Sequence, residues 1–356
     1  TPTAEGETLT SVTLEKVDGN STLDGDAIDT LTLKGATASS NDITIDNNQS
    51  GRGALTIKAD GTGFDTGGTA QTQTIVDDNA TEVIVDAIAK SDIDIDGTSL
   101  NSATIKGSAD IDVFGIENIA TLTITNSGDT KIDGVQSNLA TVAGEAATGA
   151  IDINASSGAS TMTIKTGSGG DLINMGSGYT AADTIDGGAV TVVLLSDHTD
   201  FEGISSDISA DKLNNIETIR TDEATEAGIN LTHFNGVSTL EIAGNDGADA
   251  DTFTLASGNT LHLTGDINQD GSATAVTVAV GGSSVNDSIN LKLDSDVDVL
   301  GDASGEELKF SNIETVNLQT ADTGGNTNAI QQGVAFTTTG SATSTLNITG
   351  GEQVTL

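Results

Sequence analysis

The chain has no cysteine, so no disulfide staples it and no thiol is available as nucleophile or metal ligand. Proline occurs once, at Pro2, which is unlike a disordered linker. Tryptophan is missing, tyrosine occurs once and phenylalanine seven times. Aromatic walls line most large-ligand pockets and carbohydrate platforms, and this composition argues against both. Basic residues are also scarce, 12 against 53 acidic ones, for a formal net charge of −41. Nucleic acid and anionic membrane surfaces need a basic patch and are excluded as partners. No apolar run of about 18 residues exists, so membrane insertion is not expected. The start, Thr1-Pro2-Thr3-Ala4-Glu5, lacks the basic and apolar regions of a signal peptide, and a strand pattern is still running at Val354-Thr355-Leu356. Both features read as the ends of a processed or excised piece.

What the chain has is repetition. Four-residue phrases such as Thr30-Leu31-Thr32-Leu33, Asp42-Ile43-Thr44-Ile45, Thr121-Leu122-Thr123-Ile124, Thr239-Leu240-Glu241-Ile242 and Thr345-Leu346-Asn347-Ile348 alternate polar and apolar residues. Period 2 places Leu and Ile on one strand face and Thr or Asp on the other. The 43 glycines supply the turns between them. Short helical turns fit 210–215 and 328–332, and no long helical period is present. The alternation also argues against the disorder that high acidity with few aromatics can signal. Strands recur at irregular intervals of about 10–24 residues, which suits an all-β, right-handed parallel β-solenoid in which each turn adds one strand to a stacked sheet. Three segments are expected: a solenoid over 1–165, a Gly/Asp turn region over 166–200, and a second β-rich segment over 201–356. A longer echo joins Asn118-Ile119-Ala120-Thr121, Asn215-Ile216-Glu217-Thr218 and Asn312-Ile313-Glu314-Thr315 at equal steps of 97 residues. It reads either as a duplication or as a recurrent turn-to-strand phrase.

So large a negative charge repels itself in any compact state and calls for cations. The sharpest candidate is Thr166-Gly167-Ser168-Gly169-Gly170-Asp171-Leu172-Ile173, continued by Gly176, Gly178 and Ala182-Asp183-Thr184-Ile185-Asp186-Gly187-Gly188. Its first half fits G-x-G-x-D-x-I, close to the calcium-binding nonapeptide of parallel β-helices. Glycines turn their carbonyls inward, Asp supplies a hard anionic oxygen, and calcium takes six to eight oxygens. Asp266-Ile267-Asn268-Gln269-Asp270-Gly271 opens like an EF-hand loop, but Thr277 stands where the bidentate Glu belongs. It reads as calcium-binding at Asp266, Asn268 and Asp270 or as a plain polar turn. The turn 245–251 is equally ambiguous. Aspartates at 92, 94 and 96, at 110 and 112, and at 294, 296 and 298 alternate along their strands. They read as solvated faces or as ladders bridged by cations.

With these residues in place, the chain resembles the RTX proteins, and more closely the RTX-type bacterial surface-layer proteins. The Gly/Asp stretch 166–188 and the Asn-Ile-Glu-Thr phrases carry the likeness. The resemblance implies secretion to the cell surface by a type I route, calcium-driven folding and assembly with copies of itself into a lattice. It implies Ca2+ as the bound ion, with ligands from Asp171, Asp183 and Asp186 and from the carbonyls of Gly167, Gly169, Gly176 and Gly178. Anchoring to lipopolysaccharide, which the resemblance allows, is placed outside this segment. Thr166 replaces the first glycine, Thr180 occupies the next Asp position and Val190 a later glycine, which points to one or two calcium ions rather than a long array. An RTX-type adhesin and a polysaccharide-active β-helix enzyme are the alternatives. Against an enzyme, His198, His233 and His262 lack metalloprotease spacing and no G-x-S-x-G elbow occurs. His198, beside Asp197 and Asp200, is expected on a surface loop.

Overall fold

The computed structural model describes residues 9–35, 40–46, 51–63, 72–244, 251–265, 267–268, 276–281, 286–294, 297, 299–300, 308–320, 327–329, 334–337, 344–351 and 353–355. The chain is all-β and its strands pair in parallel, as in a β-solenoid. It divides into two compact units, 1–175 with 182–192, and 176–181 with 193–356.

In the first unit consecutive strands alternate between two parallel sheets. Sheet one runs Ser11–Glu15, Thr30–Lys34, Arg52–Asp60, Ala80–Ala89, Ser102–Gly107, Thr121–Ile124, Thr141–Ala143, Thr163–Lys165 and Thr184–Asp186. Sheet two runs Ser21–Asp24, Asn41–Asp46, Gln73–Val76, Ser91–Asp96, Ile111–Ile116, Thr130–Ile132, Ile151–Asn154 and Leu172–Asn174. Each coil is therefore two short strands and two turns. Thr121 pairs with Thr141, Thr141 with Thr163 and Thr163 with Thr184, steps of 20, 22 and 21 residues. The alternating phrases explain the register. Leu122, Val142, Ile164 and Ile185 stack inward and are at most 1% exposed, while the threonines line the outer face. A one-residue slip would turn every one of these columns inside out.

The second unit changes cross-section along its length. Val193–Ser196, Thr218–Thr221, Thr239–Ile242, Thr260–Leu263, Ser288–Leu293, Thr315–Gln319 and Thr345–Thr349 follow one another in one parallel sheet. A second sheet holds Thr252–Leu255, Thr277–Val280, Leu308–Ser311 and Val334–Thr337. Two pairs form a third side, Ile267–Asn268 with Val299–Leu300 and Thr327–Ala329 with Gln353–Thr355. Coils with three strands are longer. Leu240 pairs with Leu261 after 21 residues, but the next steps, to Leu291, Leu318 and Ile348, are 30, 27 and 30. The first unit's coils vary too, with steps of 19, 26 and 28 from Ser11 to Thr30, Thr30 to Thr56 and Thr56 to Ile84, so the uneven strand spacing reflects both longer turns and added strands. Aromatic residues pack in this unit: Phe201 meets Tyr179 at 5.6 Å and Phe234 at 5.9 Å between ring centroids, and Phe310 lies 5.3 Å from Phe336.

Two helical expectations fail. Residues 210–212 form a turn, because the N–H groups of Lys212 and Leu213 both return to the Ser209 carbonyl (2.9 and 3.1 Å), and Leu213–Asn214 is a strand. Asn328 lies in strand Thr327–Ala329, and 330–332 fall outside the described residues. The α-helix is instead His198–Glu202, whose first turn is capped by the Asp197 carboxylate accepting the Thr199 N–H at 2.9 Å. Among the described residues no helix is long and apolar enough to cross a membrane.

Asn118, Asn215 and Asn312 all adopt left-handed φ, 60°, 52° and 57°. Asparagine tolerates this region better than most residues. Each is followed by a buried isoleucine, Ile119, Ile216 or Ile313, and then by a strand starting at Thr121, Thr218 or Thr315. The phrase is thus one recurrent device that turns the chain into a strand. The ladder carries Thr218 through Thr239, Thr260 and Asn290 to Asn317, two residues past Thr315, so the equal 97-residue steps do not follow the coil register.

Candidate metal-binding turns

In the stretch 166–188, sheet-one strand Thr163–Lys165 leads to sheet-two strand Leu172–Asn174 and back to sheet-one strand Thr184–Asp186. Asp171 stands at the turn entering sheet two and Asp183 at the opposite turn, entering sheet one. Asp186 closes its strand on the same side as the 166–170 turn. The predicted carboxylates are therefore divided between two edges of the coil. Among the described residues no three His, Asp or Glu side chains converge on a point that could hold a metal.

Asp171 and Asp183 occupy inward positions, each 2% exposed. Asp171 Oδ1 accepts the Ile151 N–H of the preceding coil at 2.8 Å, and Asp183 Oδ1 accepts the Met162 N–H at 2.7 Å. Both carboxylates thus pin one coil to the last by satisfying a backbone donor. Asp171 Oδ2 is buried without a well-formed hydrogen bond; the Thr166 hydroxyl, which donates to the Gly187 carbonyl at 3.0 Å, and the Gly167 N–H lie close to the carboxylate. Burial pushes the Asp171 carboxyl above the ordinary aspartate range, against the pull of the Ile151 N–H, the Thr166 hydroxyl and the Gly167 N–H. A buried carboxylate oxygen of this kind suits a hard cation, which would offset the cost of the buried charge. Asp186 is half-buried, and its Oδ1 accepts the Gly188 N–H at 3.2 Å.

The glycines have a steric role that the motif did not reveal. A Cβ on Gly149 would sit 2.0 Å from the Gly128 carbonyl oxygen, and one on Gly169 would sit 2.4 Å from that of Gly149. A second column places Gly167 against Ala147 O at 2.1 Å and Gly188 against Gly167 O at 1.9 Å. Turns stack so closely that only hydrogen fits. The Gly167 carbonyl accepts the Ala189 N–H at 3.1 Å. That of Gly176 accepts both the Asp197 N–H (2.7 Å) and the Ser196 hydroxyl (2.5 Å), so its lone pairs are already used. Gly178 precedes the buried Tyr179. Gly169→Ala, which keeps the carbonyl, is expected to destabilise the chain by about 1–3 kcal/mol through overpacking. Urea unfolding with calcium present measures this, and an unchanged midpoint would refute the steric role.

Asp266 and Asp270 lie outside the described residues. Asn268 belongs to strand Ile267–Asn268, and its side chain is outside them too. The same holds for 245–250, Asp296 and Asp298. The alternating aspartates of the first unit are in view. Asp92 stands opposite Asp112, Asp112 opposite Lys131, and Lys131 opposite Asp152. The row is broken by one lysine, whose Nζ lies 2.6 Å from Asp133 Oδ1. Asp92 is not solvated as a surface row would be. It is 4% exposed, and burial, then the Asp112 charge, raise its carboxyl.

The two outer faces of this unit differ in charge. Sheet two presents Asp24, Asp42, Asp46, Asp94, Asp96 and Asp112, and Lys131 is the one base in its strands. Sheet one presents Lys34, Lys58, Lys106 and Lys165 among its threonines, balanced by Glu15, Asp60, Glu82, Asp86 and Asp186.

The three histidines are hydrogen-bonded to neighbouring protein groups. His198 is 7% exposed at the head of the helix, not on a surface loop, and its Nδ1 lies 3.1 Å from Glu202 Oε1. Asp200 is taken up by the Tyr179 N–H (3.1 Å) and the Ser196 hydroxyl (2.7 Å). His233 lies 3.0 Å from both the Ile204 carbonyl and Asn230 Nδ2. His262 sits between two carboxylates, Nδ1 at 3.1 Å from Glu241 Oε2 and Nε2 at 2.8 Å from Asp294 Oδ1. Nothing in the sequence marked this clamp, since the partners are 21 and 32 residues away.

Fold and turns together define a parallel β-solenoid whose coils are pinned by turn carboxylates. Comparison with family models, curated proteins and solved structures finds no match to this chain.

Proposed function

We propose that the chain is a calcium-stabilised structural unit of a bacterial surface layer, assembling with copies of itself outside the cell. The observation that carries this reading is the unequal charge of the two sheet faces in the first unit. An acidic face repels its like at low ionic strength, and monovalent salt only screens that repulsion. Calcium coordinates carboxylates from two copies at once. The lysine- and threonine-bearing face offers the complementary side of a head-to-tail contact, the kind that generates extended arrays. Buried turn carboxylates such as Asp171 give calcium a second role inside each copy, where binding to the native state alone adds stability by mass action.

The purified chain is expected to form ordered assemblies in millimolar calcium chloride and to stay dispersed in sodium chloride of equal ionic strength. Light scattering and negative-stain microscopy make the comparison. Equivalent ordered assemblies in calcium-free sodium chloride would rule out calcium bridging.

A further inference from the structure

The second unit holds a pair of buried acids outside every candidate metal site discussed so far. Asp287 is 6% exposed and Glu314 5% exposed. Each immediately precedes a strand, Ser288–Leu293 and Thr315–Gln319, and Ser288 pairs with Thr315, so the two acids stand directly opposite on adjacent coils. The Asp287 N–H donates to Glu314 Oε2 at 2.9 Å, and the Asp287 carbonyl accepts the N–H groups of Glu314 and Thr315, both at 3.0 Å. One oxygen of each carboxylate, Asp287 Oδ2 and Glu314 Oε1, is buried and has no partner among the described residues. Neither acid forms an ion pair with any described Lys, Arg or His.

Like charges directly opposite in a ladder repel. Buried charges without counter-charge or hydrogen bond are among the most costly groups a fold can carry. We propose that Asp287 and Glu314 together hold one divalent cation, bridging two coils. The donors are oxygens alone, which selects a hard ion over zinc or copper. Calcium is favoured further because it accepts the irregular oxygen geometry that two carboxylates and water offer. Magnesium needs shorter bonds in a near-ideal octahedron and keeps its waters. With two side chains supplying the charge and water completing the shell, affinity falls in the weak extracellular range, roughly 10⁻⁴–10⁻³ M. This site is independent of the 166–188 turns and of the surface-layer reading.

The test is calcium binding to the full chain by equilibrium dialysis, comparing the wild type with Glu314→Gln, Asp287→Asn and Asp171→Asn. Glu314→Gln keeps an amide oxygen for the Asp287 N–H, so it retains the turn; circular dichroism in chelator checks that it folds. Glu314→Gln and Asp287→Asn are each expected to lose one calcium equivalent, or to bind it at least tenfold more weakly. Asp171→Asn is expected to keep that equivalent. If Asp287→Asn does not fold, Glu314→Gln decides alone. Wild-type stoichiometry and affinity in Glu314→Gln would overturn the proposal, as would a wild type that binds no calcium. Loss of calcium in Asp171→Asn alone would also overturn it while leaving the 166–188 turns as a calcium site.

Discussion

Asp77→Ala is expected to destabilise the chain by about 3–5 kcal/mol, the usual cost of stranding one member of a buried ion pair. Arg52 in strand Arg52–Asp60 pairs through Nη2 with Asp77 Oδ2, and the two side chains are 9% and 4% exposed. Arg52 Nε and Nη1 have no other partner among the described residues. Removing the carboxylate leaves a guanidinium in the interior and also strips the acceptor of the Asn79 and Ala80 N–H groups, at 3.1 and 3.0 Å. The double variant Arg52→Met with Asp77→Asn removes both charges and keeps that acceptor. It is expected to lie within about 1 kcal/mol of the wild type, because a buried ion pair is often no better than an apolar replacement. Urea midpoints measure both. A loss below about 1 kcal/mol for Asp77→Ala would contradict the assignment.

The second large effect is a pH dependence centred on His262. Burial alone pulls this imidazole down, but its hydrogen bonds to Glu241 and Asp294 outweigh that and raise it above the usual 6.5. Burial likewise pushes Glu241 up, and the bonds from His262 and Arg220 override it, lowering the carboxyl from 4.5 to about 2. The two contributions have opposite signs. The raised histidine stabilises fully below pH 6.5, and its share is lost as pH climbs through the folded value. The depressed glutamate stabilises above pH 4.5, and its share is lost as pH falls toward 2. The cluster is therefore strongest between about pH 4.5 and 6.5, and the glutamate shift corresponds to something on the order of 3 kcal/mol. His262→Gln is expected to abolish most of the stability difference between pH 6 and pH 8.5 that distinguishes the wild type. Parallel stability–pH curves for the two proteins over that range would sink the idea.

The alternating phrases were legible because a strand's periodicity is local. Thr121-Leu122-Thr123-Ile124 declares its inward face without reference to any neighbour, and the structure places Leu122 and Ile124 in the core. The all-β, parallel, stacked architecture followed from repeating that reading. Coil length was not legible. It depends on the length of each turn, as between Asn41 and Gln73, and on whether a turn contains a third short strand such as Ile267–Asn268; two-residue strands leave no period to detect. The Gly/Asp stretch was found, but spacing could not show that Asp171 and Asp183 serve opposite edges, nor that Gly149 and Gly169 are required by the turn beneath. Glu314 was flagged only as part of a phrase. Its partner Asp287 lies 27 residues earlier, a distance that the coil sets and the sequence does not display. Interactions between adjacent coils are the part of this molecule that sequence reading misses most consistently.

The ladder partners in both units lie only 19 to 32 residues apart, from Ser11 with Thr30 to Asn41 with Gln73. Against the chain length this is a separation of roughly 0.05–0.09, in the range of helical bundles rather than of β-sandwiches. Closing each coil costs the entropy of one short loop, and that cost does not grow as more coils are added. Folding can then advance as a front from any coil that forms first, each finished turn offering the edge on which the next is laid. An all-β chain of this kind has no need to wait for its distant parts to be present.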